Sequence, residues 1–138
     1  MTSHEGGCLC GQVRFRVSTP ALSSGYCHCR MCQKSSGAPV VAWVTFPACG
    51  FSWIAGTPRT YGSSARAKRQ FCAQCGSYML FRSEDSPDEV SVNTASLDDP
   101  GVFPPQMHIF TESRITWFHT RDALPTHQGY GPFQRPED

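Results

Sequence analysis

Apolar and polar side chains alternate along much of this chain, with the two-residue period of a β-strand rather than the period of a helix. Val13, Phe15 and Val17 fall on one face and the two arginines between them fall on the other, as in a strand with one buried face. Residues 40–46 form an apolar, β-branched run that is typical of a strand buried on both faces. Further strands are predicted at residues 51–54, 59–62, 67–71, 78–82, 89–93, 108–111 and 115–118.

Glycine and proline interrupt these runs and favour turns over long helices. The chain has 12 glycines and 11 prolines, placed mainly between the predicted strands. One short helical turn or two is predicted from Cys29 to Ser36, ended by Gly37. Residues 97–105 are predicted to form a proline-stiffened loop. The predicted fold class is therefore mainly β.

The length and the charge limit the classes of protein that this chain can represent. Its 138 residues suit one domain, since domains commonly have about 100–150 residues. We predict a single domain over residues 1–138, with its core at about 4–125 and a loosely packed polar tail at 126–138. The net charge of +1, from 12 basic and 11 acidic residues, argues against a nucleic-acid partner.

The sequence also predicts a cytoplasmic protein without a membrane partner. No stretch approaches the ~18 consecutive apolar residues that cross a bilayer, and the first residues lack the pattern of a secretory signal. In the cytoplasm, closely spaced cysteines indicate metal or redox sites rather than disulfides. The sequence does not define an oligomeric state.

Seven of the eight cysteines fall into three tight clusters, and their spacing indicates metal binding. The clusters are Cys8-Leu9-Cys10, Cys27-His28-Cys29-Arg30-Met31-Cys32 and Cys72-Ala73-Gln74-Cys75. A C-x-C pair does not readily reach the dihedral geometry of an ordinary disulfide. A C-x-x-C turn readily directs two sulfurs at one tetrahedral ion. The eighth cysteine, Cys49, is predicted to be a small buried residue.

Four of these cysteines supply the complete ligand set of a structural zinc site. They are Cys8, Cys10, Cys72 and Cys75, which we call the four-sulfur cluster. Each pair lies in a turn that contains glycine, and glycine tolerates the positive φ that brings backbone N–H groups close to sulfur. We predict a closed, four-coordinate zinc site that joins the two pairs. Zn–S bonds would supply most of its stabilisation, and closure of the long loop would add a smaller part.

The remaining sulfurs, those of Cys27, Cys29 and Cys32, form what we call the three-sulfur cluster. Three protein ligands and one exchangeable position are the pattern of a catalytic zinc. Other interpretations stay open: a fourth protein ligand closes the site, the sulfurs are reduced thiols without an ion, or the site serves redox or iron–sulfur chemistry. The candidate fourth ligands are His28, His108, His119 and Cys49.

Longer motifs around the cysteines are specific enough to indicate a family. They are Gly-Gly-Cys-Leu-Cys-Gly-Gln-Val-Arg-Phe at residues 6–15, Cys-His-Cys-Arg-Met-Cys-Gln-Lys-Ser-Ser-Gly at residues 27–37 and Phe-Cys-Ala-Gln-Cys-Gly-Ser at residues 71–77. With Leu97-Asp98-Asp99-Pro100, the segment at residues 105–109 and Trp117, they resemble the glutathione-dependent formaldehyde-activating enzyme family. That family shares its domain with centromere protein V. The resemblance runs from about residue 4 to residue 125.

This resemblance implies a fold, a pair of metal sites and a reaction. The fold is a β-tent of antiparallel sheets pinned by zinc, here with the short helical turn in its central cysteine-rich loop. Two zinc ions are implied per chain, a structural ion at the four-sulfur cluster and a catalytic ion at Cys27, Cys29 and Cys32. The implied reaction adds the thiol of glutathione to formaldehyde and gives S-hydroxymethylglutathione, formally a carbon–sulfur lyase reaction in reverse. The implied partners are therefore a small thiol such as glutathione and a small aldehyde.

The residues near the central cysteines suggest how such a substrate is held. Glutathione carries two carboxylates, and Arg30 and Lys34 are the basic residues nearest to the three-sulfur cluster in sequence. A bound zinc would lower the pKa of a thiol and keep the nucleophilic thiolate available. Two other functions stay open: a non-catalytic, zinc-scaffolded binding module, and a zinc hydrolase whose general base, in the absence of a neighbouring carboxylate, would be a residue such as His108.

Overall fold

Over residues 2–133, the part of the chain that the computed structural model describes, ten strands form two sheets and residues 30–36 form an α-helix. The strands are β1 (His4–Gly7), β2 (Arg14–Val17), β3 (Ser23–Cys27), β4 (Val41–Pro47), β5 (Phe51–Ala55), β6 (Arg59–Gly62), β7 (Ala67–Phe71), β8 (Tyr78–Ser83), β9 (Glu89–Asn93) and β10 (His108–Ile109), and the helix is α1 (Arg30–Ser36). The mainly β prediction is confirmed. Within these residues, no helix has the length and apolar character needed to cross a membrane.

The smaller sheet has three antiparallel strands in the order β1-β2-β5. The alternation that predicted β2 is reflected in its burial, because Val13, Phe15 and Val17 are almost fully inaccessible to solvent. The arginines between them point outward and pair with acidic residues, Arg14 with Asp98 and Arg16 with Glu5. This sheet covers one side of the main core.

The larger sheet has seven strands in the order β10-β3-β4-β9-β8-β7-β6. Its neighbouring strands are antiparallel except at one edge, where β10 runs parallel to β3 and pairs His108 with Tyr26. The prediction of antiparallel sheets is therefore correct for every other pair and wrong for this one. The parallel pair arises because the chain crosses from β9 through residues 94–107 before it returns to the sheet beside β3.

Apolar residues from both sheets meet in one core. They are Val13, Phe15, Val17 and Phe51 from the smaller sheet and its flanks, and Val44, Phe46, Met79, Leu80, Val90 and Val92 from the larger sheet. Each fully buried side chain of this size contributes about 1.5–3 kcal/mol through removal of apolar surface from water. Cys8 and Cys72 belong to the same core, so the four-sulfur cluster lies at its border.

Helix α1 begins and ends close to the predicted positions. Cys29 is its N-cap, and the Cys29 sulfur accepts a hydrogen bond from the Cys32 N–H at 3.3 Å. Gly37 ends the helix in a left-handed conformation with φ 71°. The buried amide of Gln33 donates to the backbone oxygens of His28 and Ser113, which holds α1 against the segment that follows β10.

The structure differs from the strand predictions in four places. Strands β1 and β3 were not predicted, because His-Glu-Gly-Gly and Ser-Ser-Gly-Tyr-Cys have few large apolar residues and become strands only through their partners. The strand predicted at residues 108–111 ends at Ile109, and the strand predicted at residues 115–118 is a turn region. Phe110 explains the early end at Ile109, since its left-handed backbone, with φ 57°, directs the chain out of the sheet.

The described part of the predicted loose tail packs against the domain. Residues 125–129 exchange backbone hydrogen bonds with residues 108–111, and Thr126 forms a parallel bridge with His108. Phe133 lies edge-on to Trp43, with 6.0 Å between the ring centroids. The prediction of loose packing is therefore wrong for residues 126–133, and residues 134–138 lie outside the described chain.

Candidate functional site: two sulfur clusters and an apolar cavity

The structure brings together the cysteines of the four-sulfur cluster from two distant turns. Cys8 and Cys10 lie between β1 and β2, and Cys72 and Cys75 lie between β7 and β8. Their four sulfur atoms lie within 4.8 Å of one another, with 3.5 Å between Cys8 and Cys10 and 3.8 Å between Cys10 and Cys72. A tetrahedral ion with Zn–S bonds of about 2.3 Å needs sulfurs about 3.8 Å apart. The cluster therefore has the spacing of a closed zinc site.

Backbone N–H groups point at two of these sulfurs. The Val13 N–H donates to the Cys8 sulfur at 3.3 Å, and the Gln74 N–H donates to the Cys72 sulfur at 3.3 Å. Hydrogen bonds of this kind stabilise a thiolate relative to a thiol. The donors come from the turns themselves, so the fold of each turn prepares its sulfur for a cation.

Glycines shape both turns, as their positions in the sequence predict. Gly11 and Gly76 have φ values of 81° and 80°, a left-handed conformation that favours glycine. Next to Gly76, the Ser77 hydroxyl lies 3.2 Å from the Cys75 sulfur and is the main cause that lowers the pKa of that thiol to about 5. The turns thus combine tight backbone geometry with donors for charged sulfur.

The three-sulfur cluster lies where β3 meets α1. Cys27 is the last residue of β3, Cys29 is the N-cap of α1, and Cys32 lies in the first turn of the helix. Their sulfurs lie within 4.8 Å of one another. The strand end and the helix start therefore direct three thiols to one point.

The charges of these three sulfurs are coupled. Hydrogen bonds from Cys27 and Cys32 lower the pKa of the Cys29 thiol to about 2. The hydrogen bond to Cys29, together with the bond to Cys32 and burial, raises the pKa of Cys27 well above its usual value. Sulfurs this close can all be thiolates only with a cation between them. The donor set, three soft ligands at one point, therefore fits a zinc ion.

No candidate for a fourth ligand joins the cluster within residues 2–133. His28 is buried and points its Nε2 at His108, 2.8 Å from Nδ1 of that ring. His119 and Cys49 are exposed elsewhere on the surface. The prediction that Cys49 is buried is therefore wrong, because this residue lies on the exposed side of the 3₁₀ turn at residues 48–50. The described chain thus offers three sulfur atoms at this point as candidate ligands.

A hydrogen-bonded chain, buried except at its terminal carboxylate, lies behind the three-sulfur cluster. His28 contacts His108, whose Nε2 lies 3.1 Å from Oδ1 of Asp122. The carboxylate accepts from Nε2–H of His108, and Nδ1 of His108 then accepts from Nε2–H of His28. Burial, with repulsion from His108 and Arg114, lowers the pKa of His28 to about 4, so this ring stays neutral. The chain fixes the loop between β3 and α1.

Loss of the central ring of this chain is expected to weaken the fold. His108→Ala removes a fully buried side chain and leaves the His28 N–H without its acceptor, which costs about 2–4 kcal/mol of unfolding free energy. Urea unfolding followed by circular dichroism measures the change. His119→Ala is the matched control, since His119 is exposed, and an equal effect of the two substitutions would refute the role of the buried chain.

A cavity of about 560 Å³ opens beside the three-sulfur cluster. Its walls include all three cysteines and a set of apolar side chains, among them Val41, Trp43, Phe81, Ile109, Phe110 and Phe133. A cavity of this size and character is typical of a small-molecule site. His28 and His108 are not among the residues that line it, so the structure does not place His108 as a general base there.

Two polar residues of the cavity wall escaped the sequence reasoning. Arg69 on β7 is 6% exposed, and its Nη1 donates to the Tyr78 hydroxyl at 2.5 Å and lies 3.9 Å from the Cys32 sulfur. Burial raises the pKa of Tyr78 above its usual range, against the opposing influence of Arg69. The sequence could have indicated that Arg69 is buried, because the alternation Ala67-x-Arg69-x-Phe71 places the arginine on the less polar face of β7.

Of the two basic residues predicted to bind substrate, Arg30 and Lys34, only one lines the cavity. Arg30 lies at the cavity wall, and its Nη1 donates to Oε1 of Gln33 at 2.6 Å. Lys34 is exposed in the last turn of α1 and is not among the residues that line the cavity. Of the basic residues near the cluster, Arg30 and Arg69 therefore face the space that a substrate can enter.

Comparison with known proteins agrees with this geometry. The sequence profile of a family described as glutathione-dependent formaldehyde-activating enzyme matches residues 3–113. A Halomonas elongata protein provisionally named as such an enzyme is 27% identical over 122 residues, covering 82% of this chain and 78% of that protein. An uncharacterized lyase of Schizosaccharomyces pombe is 28% identical over 95 residues, covering 67% of each chain. A solved Rhodobacter sphaeroides structure superposes with a TM-score of 0.56 at 22% identity, covering 89% of this chain and 98% of that one, which shows a shared fold.

Proposed function

The chain belongs to the glutathione-dependent formaldehyde-activating enzyme family, and from this premise we propose that it is a zinc-dependent carbon–sulfur lyase acting on thiol adducts. The reference reaction is the addition of glutathione to formaldehyde, which gives S-hydroxymethylglutathione. The observation that carries the proposal is the position of the three-sulfur cluster, which forms part of the wall of a cavity large enough for a small molecule. A purely structural metal site has no need of such a cavity.

We assign a structural role to one proposed metal site and a catalytic role to the other. Cys8, Cys10, Cys72 and Cys75 would hold a structural zinc, and Cys27, Cys29 and Cys32 would hold a second zinc with one exchangeable position. A zinc ion held at the second site would lower the pKa of a bound thiol and so make a thiolate available at neutral pH.

Arg69 is suited to orient the thiol substrate. Its guanidinium is buried beside Cys32 and Tyr78, so its positive charge acts in a region of low dielectric. Glutathione carries carboxylates, and a guanidinium binds a carboxylate through two parallel hydrogen bonds. Together with Arg30, which also lines the cavity, Arg69 would hold the thiol substrate through its carboxylates.

Tyr78 is suited to hold the proton that the addition transfers. In the reaction the S–C bond forms, the π pair of the carbonyl moves to oxygen, and that oxygen takes the proton lost by the thiol. Arg69 donates to the Tyr78 oxygen, which leaves the phenolic O–H to donate toward the cavity. Because its pKa is raised, Tyr78 stays protonated and can donate to the developing alkoxide.

The proposed roles predict a catalytic loss without a loss of fold for Tyr78→Phe. The ring and its contact with the Arg69 guanidinium are kept, and only the hydroxyl is removed. The enzyme-catalysed rate of S-hydroxymethylglutathione formation is expected to fall about 10²-fold through kcat. NMR exchange spectroscopy of glutathione with formaldehyde measures this rate above the spontaneous reaction. Tyr61→Phe is the control, because Tyr61 is exposed on β6.

Two outcomes would contradict this function. If the wild-type protein gives no acceleration over the spontaneous addition, glutathione with formaldehyde is rejected as the reference pair. If it also fails to accelerate any thiol addition while both clusters hold zinc, the non-catalytic binding module becomes the better description. An unchanged kcat in Tyr78→Phe would remove the hydroxyl from the mechanism.

A further inference from the structure

The cavity is larger and more apolar than addition to formaldehyde requires. Formaldehyde adds one carbon and one oxygen to the sulfur of its partner, and its carbon carries only hydrogen atoms. The cavity has a volume of about 560 Å³, and apolar atoms form most of its wall surface. Apolar walls of this extent bind a ligand through the apolar surface that it removes from water.

The apolar wall begins at the three-sulfur cluster itself. Cys27, Trp43 and Ile109 form one buried cluster, and Phe110 and Phe133 pack against it. The carbon that bonds to sulfur must lie beside the three-sulfur cluster. A substituent on that carbon, one bond further away, is within reach of these rings.

The backbone of Phe110 supports this assignment. A left-handed conformation is costly for a residue with a bulky side chain, and such strain persists where the surrounding structure holds the residue in place. Here the Phe110 N–H donates to the Gly129 oxygen at 2.9 Å, and its ring lies edge-on to Tyr130, with 4.8 Å between centroids. The fold therefore keeps an aromatic ring at the cavity wall at a conformational cost.

The cavity wall carries equal numbers of positive and negative side chains, and some of them already form hydrogen bonds. Arg30 and Arg69 are matched by Glu89 and Glu112, and the Glu112 carboxylate accepts from the Gly129 N–H at 3.0 Å. The polar part of the cavity is thus sufficient for the charged groups of a thiol. The apolar part has no counterpart in glutathione or in formaldehyde.

We propose that the preferred carbonyl partners at this site are aldehydes with an aromatic or branched aliphatic substituent, and that the substituent occupies the wall formed by Trp43, Phe110 and Phe133. This inference rests on the proposed function. The thiol S–H adds across the C=O bond: the S–C bond forms, the π pair moves to oxygen and the thiol proton ends on that oxygen. The product is a hemithioacetal, and no oxidant or reductant is required.

Binding of stable thioethers tests the apolar wall without catalysis. S-benzylglutathione represents an aromatic adduct and S-methylglutathione represents the formaldehyde adduct, and calorimetry on the zinc-loaded protein gives both Kd values. We expect S-benzylglutathione to bind at least about tenfold more tightly, as one added apolar group in a fitted pocket does. Phe110→Ala and Phe133→Ala should each remove most of this preference, whereas Tyr61→Ala, an exposed aromatic outside the cavity, should keep it.

Measurements of kcat/KM distinguish failure of the proposed aldehyde preference from failure of the lyase function on which it rests. Glutathione with benzaldehyde is expected to give a higher kcat/KM than glutathione with formaldehyde. Equal Kd values for the two thioethers, or a higher kcat/KM for formaldehyde, would overturn the substrate class and leave the lyase function standing. A higher kcat/KM for benzyl mercaptan with formaldehyde would assign the wall to the thiol and also overturn it. Tight S-benzylglutathione binding without any catalysis would instead reject the lyase function.

Discussion

Replacing Cys72 with serine is expected to unfold the protein under conditions in which the wild type is stable. Cys72 is 1% exposed, belongs to the main core and lies 3.8 Å from the Cys10 sulfur. A structural zinc contributes about 10–16 kcal/mol of binding free energy at neutral pH. Whole domains have unfolding free energies of only about 5–15 kcal/mol, so loss of this ion exceeds the margin of stability.

Thermal unfolding followed by circular dichroism measures this effect, and metal analysis gives the zinc content of each sample. A strong chelator added to the wild type should reproduce the loss of structure, because it removes the same ion. Cys49→Ser is the matched control, since Cys49 is exposed and belongs to neither cluster. A Cys72→Ser protein with unchanged Tm would show that the four-sulfur cluster does not stabilise the fold.

The strands that sequence predicted well are those whose own residues carry the pattern. In β2, buried Phe15 and Val17 alternate with two less buried arginines, and β4 is an almost entirely apolar run. Strand β1 contains two glycines and no large apolar residue, so its identity depends on pairing with β2. Such pairing is a property of the fold and is not visible in a local window.

The candidate site shows the same division between local and non-local information. The sulfur clusters were predictable because ligand spacing within a turn is local, and the structure brings each predicted set together. Arg69 and Tyr78 come from β7 and β8, and only the bulge at Gln70 and Phe71 and the register between these strands bring the two side chains into contact. Because Arg69 and Tyr78 are far from Cys32 in the sequence, their proximity to the three-sulfur cluster could not be predicted from local patterns.

The tail illustrates the limit of reasoning from composition. Residues 126–133 are polar and rich in glycine, which is typical of loosely packed segments. In the structure they pair with residues 108–111, and Tyr130 and Phe133 line the cavity. Backbone pairing and two aromatic rings hold this otherwise polar segment at the site.

Cys29→Ser is expected to abolish catalysis and leave the fold intact. The serine hydroxyl can cap α1 as the Cys29 sulfur does, because serine is among the preferred N-cap residues. It cannot replace the thiolate as a soft ligand of zinc. Since a catalytic metal supplies several kcal/mol of transition-state stabilisation, the enzyme-catalysed rate should fall about 10³-fold or more.

Metal content per chain distinguishes this effect from general damage. The variant should retain one zinc of two, with a circular dichroism spectrum like that of the wild type, because the four-sulfur cluster lies apart at the border of the main core. The contrast with Cys72→Ser is therefore the decisive comparison: one substitution should remove structure, and the other should remove chemistry alone. Unfolding of Cys29→Ser would make the three-sulfur cluster a second structural site, and retained catalysis would exclude its sulfurs from the reaction.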